Sequence, residues 1–282
     1  MRSDERTGTV HAGDAIPWLR RLRPQTVDLI FADPPYNAGR EAWDTFESGA
    51  AYLEWTARWV REAARVLKPT GSLYVCGFSE VLADVKGVAQ PHFPGGSCRW
   101  LIWYYRNKAN LGRDWGRAHE SVLHLRMPGF RLNVDEARVP YNAHTLRYPS
   151  HPQAKSSRYG DQRYVWQPNP LGAKPRDVLE IPTLTNGMRE KTVHPTQKPL
   201  ELVRRLVAAA SRPGDLVLDP FAGSGTTLVA CELTGRRWLA CELDPGYRAA
   251  IAERVQTTAG PGAASGVGRA ETVRRAQRRK LR

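Results

Sequence analysis

Two apolar runs, far apart in the chain, end in turns instead of continuing a periodic pattern. Val27-Asp28-Leu29-Ile30-Phe31-Ala32 runs into Asp33-Pro34-Pro35-Tyr36-Asn37, and Leu216-Val217-Leu218 runs into Asp219-Pro220-Phe221-Ala222-Gly223-Ser224-Gly225-Thr226-Thr227. Apolar runs that stop at a Gly- or Pro-rich turn fit parallel strands buried on both faces, which carry loop residues to the carboxyl edge of a sheet, where ligands bind. Thr9 to Asp14 reads as a short strand and turn, followed by a helical stretch with Ile16, Leu19 and Leu22 apolar. Tyr52, Trp55, Trp59, Ala63, Val66 and Leu67 recur at helical spacing and predict an amphipathic helix over 51–67, closed by Lys68-Pro69-Thr70-Gly71. Strands are expected at 72–76 and 100–104. His194-Pro195-Thr196-Gln197-Lys198-Pro199 opens a helix with Leu202, Val203, Leu206 and Val207 apolar, and a second βαβ unit follows: strand 216–218, helix 226–233, strand 238–242. The pattern predicts an α/β fold with a doubly wound, mostly parallel sheet. From Tyr105 to Lys191 periodicity is weak, and that stretch is expected to be largely loop with short strands.

A chain of 282 residues suits one core plus an inserted segment. No apolar stretch approaches the roughly 20 residues of a membrane span, and the polar start Met1-Arg2-Ser3-Asp4-Glu5-Arg6 has no signal-peptide core, so a cytoplasmic protein without membrane attachment is expected. Cys76, Cys98, Cys231 and Cys241 lie far apart, and reduced thiols without a structural metal are expected. The net charge of +14 is unevenly distributed. Residues 1–103 hold 12 basic and 12 acidic residues and 194–256 hold 8 and 7, whereas 104–193 hold 15 and 8 and 257–282 hold 7 and 1. A near-neutral body with basic appendages points to a polyanionic partner. The expected organisation is a first motif-bearing half at 1–104, a basic inserted segment at 105–193, a second motif-bearing half at 194–256 and a flexible basic tail at 257–282. The tail is read as an arm that the phosphates of a polyanion would order, or as a solubilising extension.

The Asp219 turn brings small residues to a strand-to-helix junction, where a ligand can approach the backbone and the helix N-terminus. No Lys follows Gly225, so the turn is not a phosphate-cradling P-loop. A cofactor without phosphates fits better, and S-adenosyl-L-methionine suits the pattern. Its methionine end would meet Phe221 to Thr226, its adenine would lie against Phe221, and its ribose hydroxyls would bond Glu242, which stands 23 positions after Asp219. The Asp33 turn suits chemistry on an exocyclic base amine, a poor nucleophile because its lone pair is delocalised into the ring. Asp33 and the Pro34 carbonyl would accept the two amine hydrogens, Pro35 would stiffen the turn, and Tyr36 would stack on a base flipped out of the duplex.

These residues resemble the S-adenosylmethionine-dependent DNA amino-methyltransferases. The order D-P-P-Y (Asp33 to Tyr36), basic insert, then F-x-G-x-G (Phe221 to Gly225) matches the β group of that family, over roughly residues 8–255. The resemblance implies a Rossmann-like fold with permuted motif order, methyl transfer to adenine N6 or cytosine N4 in double-stranded DNA, and S-adenosyl-L-methionine as cofactor. It implies that Gly13-Asp14 lies near the cofactor adenine, that His194 belongs to the segment preceding the cofactor loop, and that Lys198 faces the cofactor carboxylate. Asp in the first motif favours adenine over cytosine, and the lack of any Pro-Cys dipeptide argues against ring C5 chemistry. RNA methylation and a non-catalytic DNA-binding module are the alternatives. Arg106, Asn107, Lys108, Asn110, Arg113 and Arg117 carry side chains that bond base edges, though the same side chains bind phosphates. No target site follows from these residues, and the sequence leaves open a restriction endonuclease partner and the choice between monomer and homodimer.

Overall fold

The protein is described from a computed structural model, which covers residues 8–39, 41–107, 115–147, 151–152 and 165–259. In chain order the elements of the first compact unit are β1 (Thr9–Ala12), α1 (Ala15–Arg21), β2 (Val27–Ala32), α2 (Gly49–Val66), β3 (Leu67–Gly77), α3 (Ser79–Ala89), β4 (Ser97–Tyr104) and β5 (His119–Arg126). The chain then forms α4 (Val134–Ala137), α5 (Ala143–Arg147), β6 (His151–Pro152) and β7 (Val165–Trp166) before returning to β8 (Val178–Glu180), α6 (Leu200–Ala210), β9 (Leu216–Asp219), α7 (Thr226–Thr234), β10 (Arg237–Glu242) and α8 (Pro245–Ala259).

Eight strands form one sheet in the order β1-β10-β9-β2-β3-β5-β4-β8, parallel except for β5, which runs against both β3 and β4. Alternation along the central strands divides the core. Leu29 and Phe31 face one layer with Leu202, Leu206, Leu228 and Ile251 of α6, α7 and α8, while Ile30 and Ala32 face the other with Trp18, Trp59 and Leu82 of α1, α2 and α3. All four residues of β9 are buried, as expected of a strand covered on both faces. Trp55 and Trp59 belong to this core and meet Phe221 at ring-centroid distances of 5.6 and 5.3 Å. Truncating a fully buried side chain such as Leu29 or Ile30 is expected to destabilise the fold by about 2–5 kcal/mol.

Local signals explain most boundaries. Ser48 caps α2, its hydroxyl accepting from the Ala51 N–H at 3.1 Å, and Asp14 caps α1, accepting from the Ile16 N–H at 2.7 Å. Two expectations change. Lys68 to Gly71, expected as a closing turn, lie inside β3, where the Lys68 ammonium pairs with Asp28 at 2.7 Å. His194 to Pro199, expected to open a helix, form a non-helical approach to α6 with a turn at Pro195-Thr196, and Pro199 is the N-cap.

The largest departure concerns 105–191. Its first part contains β5, an eight-residue strand paired on both sides within the main sheet. The two compact units follow this division: Met1–Asn133 and Asp177–Ala263 form the first, and the second contains Val134–Arg176. Within the second unit, Arg138 pairs with Asp135 at 2.8 Å and donates to the Gly172 carbonyl at 2.9 Å, while the Tyr141 hydroxyl accepts from the Asn169 N–H at 2.7 Å. Lys108, Asn110, Arg113 and the tail beyond Ala259 lie outside the described residues.

Candidate active site

β9 and β2 are parallel neighbours, with Leu29 opposite Val217 and Ile30 opposite Leu218. Both runs therefore release their turns at the same carboxyl edge, and the Asp33 and Asp219 turns line one cavity of about 610 Å³. That volume lies within the usual range for small-molecule sites.

At one end of the cavity, backbone amides hold the acids. Glu242 ends β10 and accepts from the N–H groups of Gly223 at 2.7 Å and Asp244 at 2.8 Å, while Asp219 accepts from the Phe221 N–H at 3.0 Å. Burial pushes the Glu242 carboxyl up and raises Asp219 to about 7. Gly223 has φ +50°, and a Cβ there would lie 3.0 Å from the His194 imidazole Nε2. The backbone approaches His194 closely, in a left-handed conformation that favours glycine. Asp14, Phe221, Ala222, Ser224 and Thr226 also line the cavity. Gly225, expected among the cofactor contacts, is not in the lining. Its φ of +73° forms the left-handed N-cap of α7, and a Cβ would press on Ile251 at 3.1 Å.

His194 stacks on Trp43 with centroids 6.1 Å apart and meets Tyr247 at 4.5 Å. Burial lowers its pKa to about 4, so the ring is neutral at pH 7, and its Nδ1 is buried without a hydrogen-bond partner among the described residues.

At the other end, side chains hold side chains. The Tyr36 hydroxyl donates to Asp33 Oδ1 at 2.8 Å and lies 3.2 Å from Glu120 Oε2. The Lys198 ammonium reaches Asp33 Oδ2 at 2.7 Å and Glu120 Oε2 at 3.4 Å. Burial pulls the Lys198 pKa down, but Asp33 and Glu120 override it and raise the pKa overall, so the group remains an ammonium. Burial, then the same two carboxylates, pushes the Tyr36 phenol well up. Lys198, expected to face the cofactor carboxylate, lines the cavity and forms an ion pair with the D-P-P-Y acid. The Tyr36 ring packs edge-on against Phe78 at 5.0 Å.

The turn carrying Asp33 is held from outside. Asp44 accepts from the N–H groups of Tyr36 at 2.6 Å and Ala38 at 3.2 Å, and the Tyr52 hydroxyl donates to the Pro35 carbonyl at 3.0 Å. Glu120, Asp44 and Trp43 were not legible as site residues. Asp44 and Trp43 follow the motif closely enough that a search for acids and aromatics after the D-P-P-Y turn would find them. Glu120 has no comparable signal, because it lies 84 positions beyond Tyr36.

The expected base-reading residues are otherwise engaged. Asn107 exchanges two hydrogen bonds with the backbone of Thr183, at 2.8 and 3.0 Å, and so fixes the loop after β4. Arg106 pairs with Glu180 at 2.8 Å. Arg117 reaches Glu80 at 3.1 Å with its guanidinium 4.0 Å from the Phe78 ring centroid. All three sets of contacts lie at the surface.

Comparison with known proteins agrees with this arrangement. Residues 27–253 match the family described as DNA methylase. The Type II methyltransferase M1.MboII of Moraxella bovis is 31% identical over 251 residues, 84% of this chain and 92% of that protein. The DNA adenine methyltransferase YhdJ of Escherichia coli K12 is 30% identical over 246 residues, 85% and 79% of the two chains. Among solved structures, TTHA0409 of Thermus thermophilus, complexed with S-adenosyl-L-methionine, superimposes with a TM-score of 0.62 at 26% identity, covering 90% of this chain and 94% of that one.

Proposed function

This chain belongs to the S-adenosyl-L-methionine-dependent DNA methylases that modify adenine N6 or cytosine N4, and we propose that its own substrate is the N6 amine of adenine in double-stranded DNA. The observation that carries the reading is the placement of Asp33 and the Glu242–Gly223 turn in one cavity, which sets an amine acceptor beside a nucleoside-sized pocket. Adenine is favoured by Asp at the first motif position and by the likeness to YhdJ, which is named a DNA adenine methyltransferase.

The residues fit the cofactor. Asp14, Asp219, Glu242 and Asp244 line a cavity in which Lys198 is the only Lys or Arg among the described lining residues, and this acidity suits a sulfonium and an ammonium. The unpartnered Nδ1 of His194 adds a buried polar atom for a ligand. Glu242 would hold the ribose hydroxyls, and Phe221 and Asp14 would frame the adenosine. When bound, S-adenosyl-L-methionine supplies an electrophilic methyl group.

Asp33 and the Pro34 carbonyl accept the two hydrogens of the target amine and favour a pyramidal nitrogen whose lone pair is available. Asp44 and Tyr52 hold the turn so that its backbone needs no rearrangement when the base arrives. The nitrogen that gains a methyl sheds one hydrogen as a proton on the Asp33 side. The basic segment between the two motifs is assigned to duplex binding, with phosphates as its first partners.

Nucleoside mass spectrometry of unmethylated genomic DNA, incubated with the protein and S-adenosyl-L-methionine beside an Asp33→Ala control, tests this reading. N6-methyladenine is expected with the intact chain alone. N4-methylcytosine would reverse the base assignment, and methylation of RNA instead of DNA would overturn the duplex assignment.

A further inference from the structure

We infer that Glu120, on β5 and outside the D-P-P-Y loop, is a positioning residue that receives Lys198 and Tyr36 when a base amine takes their place on Asp33. The inference rests on the amine-methylation reading above and adds a step to it.

Both oxygens of Asp33 are already engaged, Oδ1 by the Tyr36 hydroxyl at 2.8 Å and Oδ2 by the Lys198 ammonium at 2.7 Å. The acceptor that the reaction needs is thus shared with two protein donors before a base arrives. Lys198 cannot simply let go, because its side chain is 6% exposed and a buried ammonium without a counter-charge is strongly disfavoured. The Tyr36 hydroxyl, part-buried, also needs an acceptor.

Glu120 provides the second seat for both donors. Its Oε2 lies 3.4 Å from the Lys198 nitrogen and 3.2 Å from the Tyr36 oxygen, so a shift of less than about 1 Å moves both contacts from one carboxylate to the other within hydrogen-bond range. β5 fixes this position. Glu120 stands opposite Trp103, whose indole N–H donates to the Ile181 carbonyl at 2.8 Å, and the next residue, Ser121, pairs with Gly77. The four groups come from the D-P-P-Y loop, β5 and the approach to α6, and together they hold two carboxylates against one ammonium. That excess of acceptors lets Asp33 bind an amine while Lys198 stays paired.

Glu120→Gln, Lys198→Gln and the double variant, compared with the full chain in single-turnover methylation of duplex DNA, test the inference. Glu120→Gln is expected to slow methyl transfer about 10²-fold, the scale of a misplaced reacting group. S-adenosyl-L-methionine affinity should be unchanged, and Glu120→Asp should recover part of the rate. The side-chain carbonyl that Glu120→Gln retains can still accept from the Tyr36 hydroxyl, and in the Lys198→Gln background there is no ammonium to receive, so the added Glu120→Gln change should have less than about 3-fold further effect; a merely structural glutamate would not show this coupling. An unchanged rate in Glu120→Gln, or an equal further loss in the Lys198→Gln background, would overturn the inference. Should Glu120→Gln fail to fold, Glu120→Ala takes its place in the same cycle, and full activity there overturns it. An active Asp33→Ala chain would instead overturn the underlying reading, and this step with it.

Discussion

The two ends of the cavity hold their acids by different means. Around Glu242, Asp219 and Asp14 the donors are chiefly backbone N–H groups, from Gly223, Asp244, Phe221 and Ile16, with the Thr227 side chain adding one to Asp219. Around Asp33 the donors are side chains, the Tyr36 hydroxyl and the Lys198 ammonium, with Glu120 as a second acceptor. A backbone donor is set as soon as its turn forms and has no rotamer to change. A side-chain donor can move from one acceptor to another. The first arrangement suits tight, repeated capture of one ligand, and the second suits a group that must exchange partners during each turnover.

Replacing Asp33 is the sharpest challenge to that contrast. Asp33→Asn keeps the shape of the side chain but removes the charge that both Lys198 and the amine use. Methyl transfer is expected to fall by about 10³-fold, the upper range for losing one preorganised group, while the calorimetric affinity for S-adenosyl-L-methionine stays nearly constant. A parallel collapse of cofactor binding would show that the two ends are not separable.

Gly223→Ala acts on the opposite end. Its Cβ would meet His194 Nε2 at 3.0 Å, and its φ of +50° carries about 1–3 kcal/mol of strain for a residue with a side chain. Cofactor affinity should drop by about 10-fold or more, with much of the rate recovered at saturating S-adenosyl-L-methionine. A loss of rate that saturation does not relieve would count against a purely binding role for the turn.

How much of this could be read from the chain alone follows from the same contrast. The Asp219 turn and Glu242 belong to one βαβ unit, so spacing along the sequence reported their proximity. The strands around them were legible because Leu29, Ile30, Val217 and Leu218 form apolar runs with no competing pattern. Glu120 was hidden for a topological reason: β5 enters the sheet antiparallel, between β3 and β4, from within a stretch whose basic residues suggested only a surface. Lys198 was found as a residue, but its pairing with Asp33 was not, because that partner stands 165 positions away and their meeting is three-dimensional. Asn107 and Arg117 hold local contacts that the sequence did not announce, since residue types that can read bases also serve loops and ion pairs.

Asp44 lies between the two modes, a side chain that fixes backbone. Asp44→Ala leaves the N–H groups of Tyr36 and Ala38 without their acceptor, at about 1 kcal/mol for part-buried donors that water can partly reach. A lower melting temperature and a roughly 10-fold slower methyl transfer are expected, with cofactor affinity retained. Normal turnover in a chain so destabilised would mean that the D-P-P-Y turn keeps its geometry without this support.

The mildest test uses pH. Burial raises Asp219 from its ordinary 3.8 to about 7, and Glu242 moves in the same direction. Between those two values the folded chain holds a proton on Asp219 that the unfolded chain releases. Its contribution to stability is therefore greatest below 3.8 and declines as pH rises toward 7. Asp219→Asn has no such proton, so its melting temperature relative to the parent should climb across that window. A cationic ligand reverses the preference by favouring the ionised carboxylate, so binding S-adenosyl-L-methionine should release a fraction of a proton near neutrality. Affinity should accordingly strengthen several-fold between about pH 6 and 7.5, below the α-amino range of the ligand itself. Calorimetry in buffers of different ionisation heat measures that proton directly. Equal release by the parent and Asp219→Asn would separate this acid from the cation and leave Glu242 as the group that senses it.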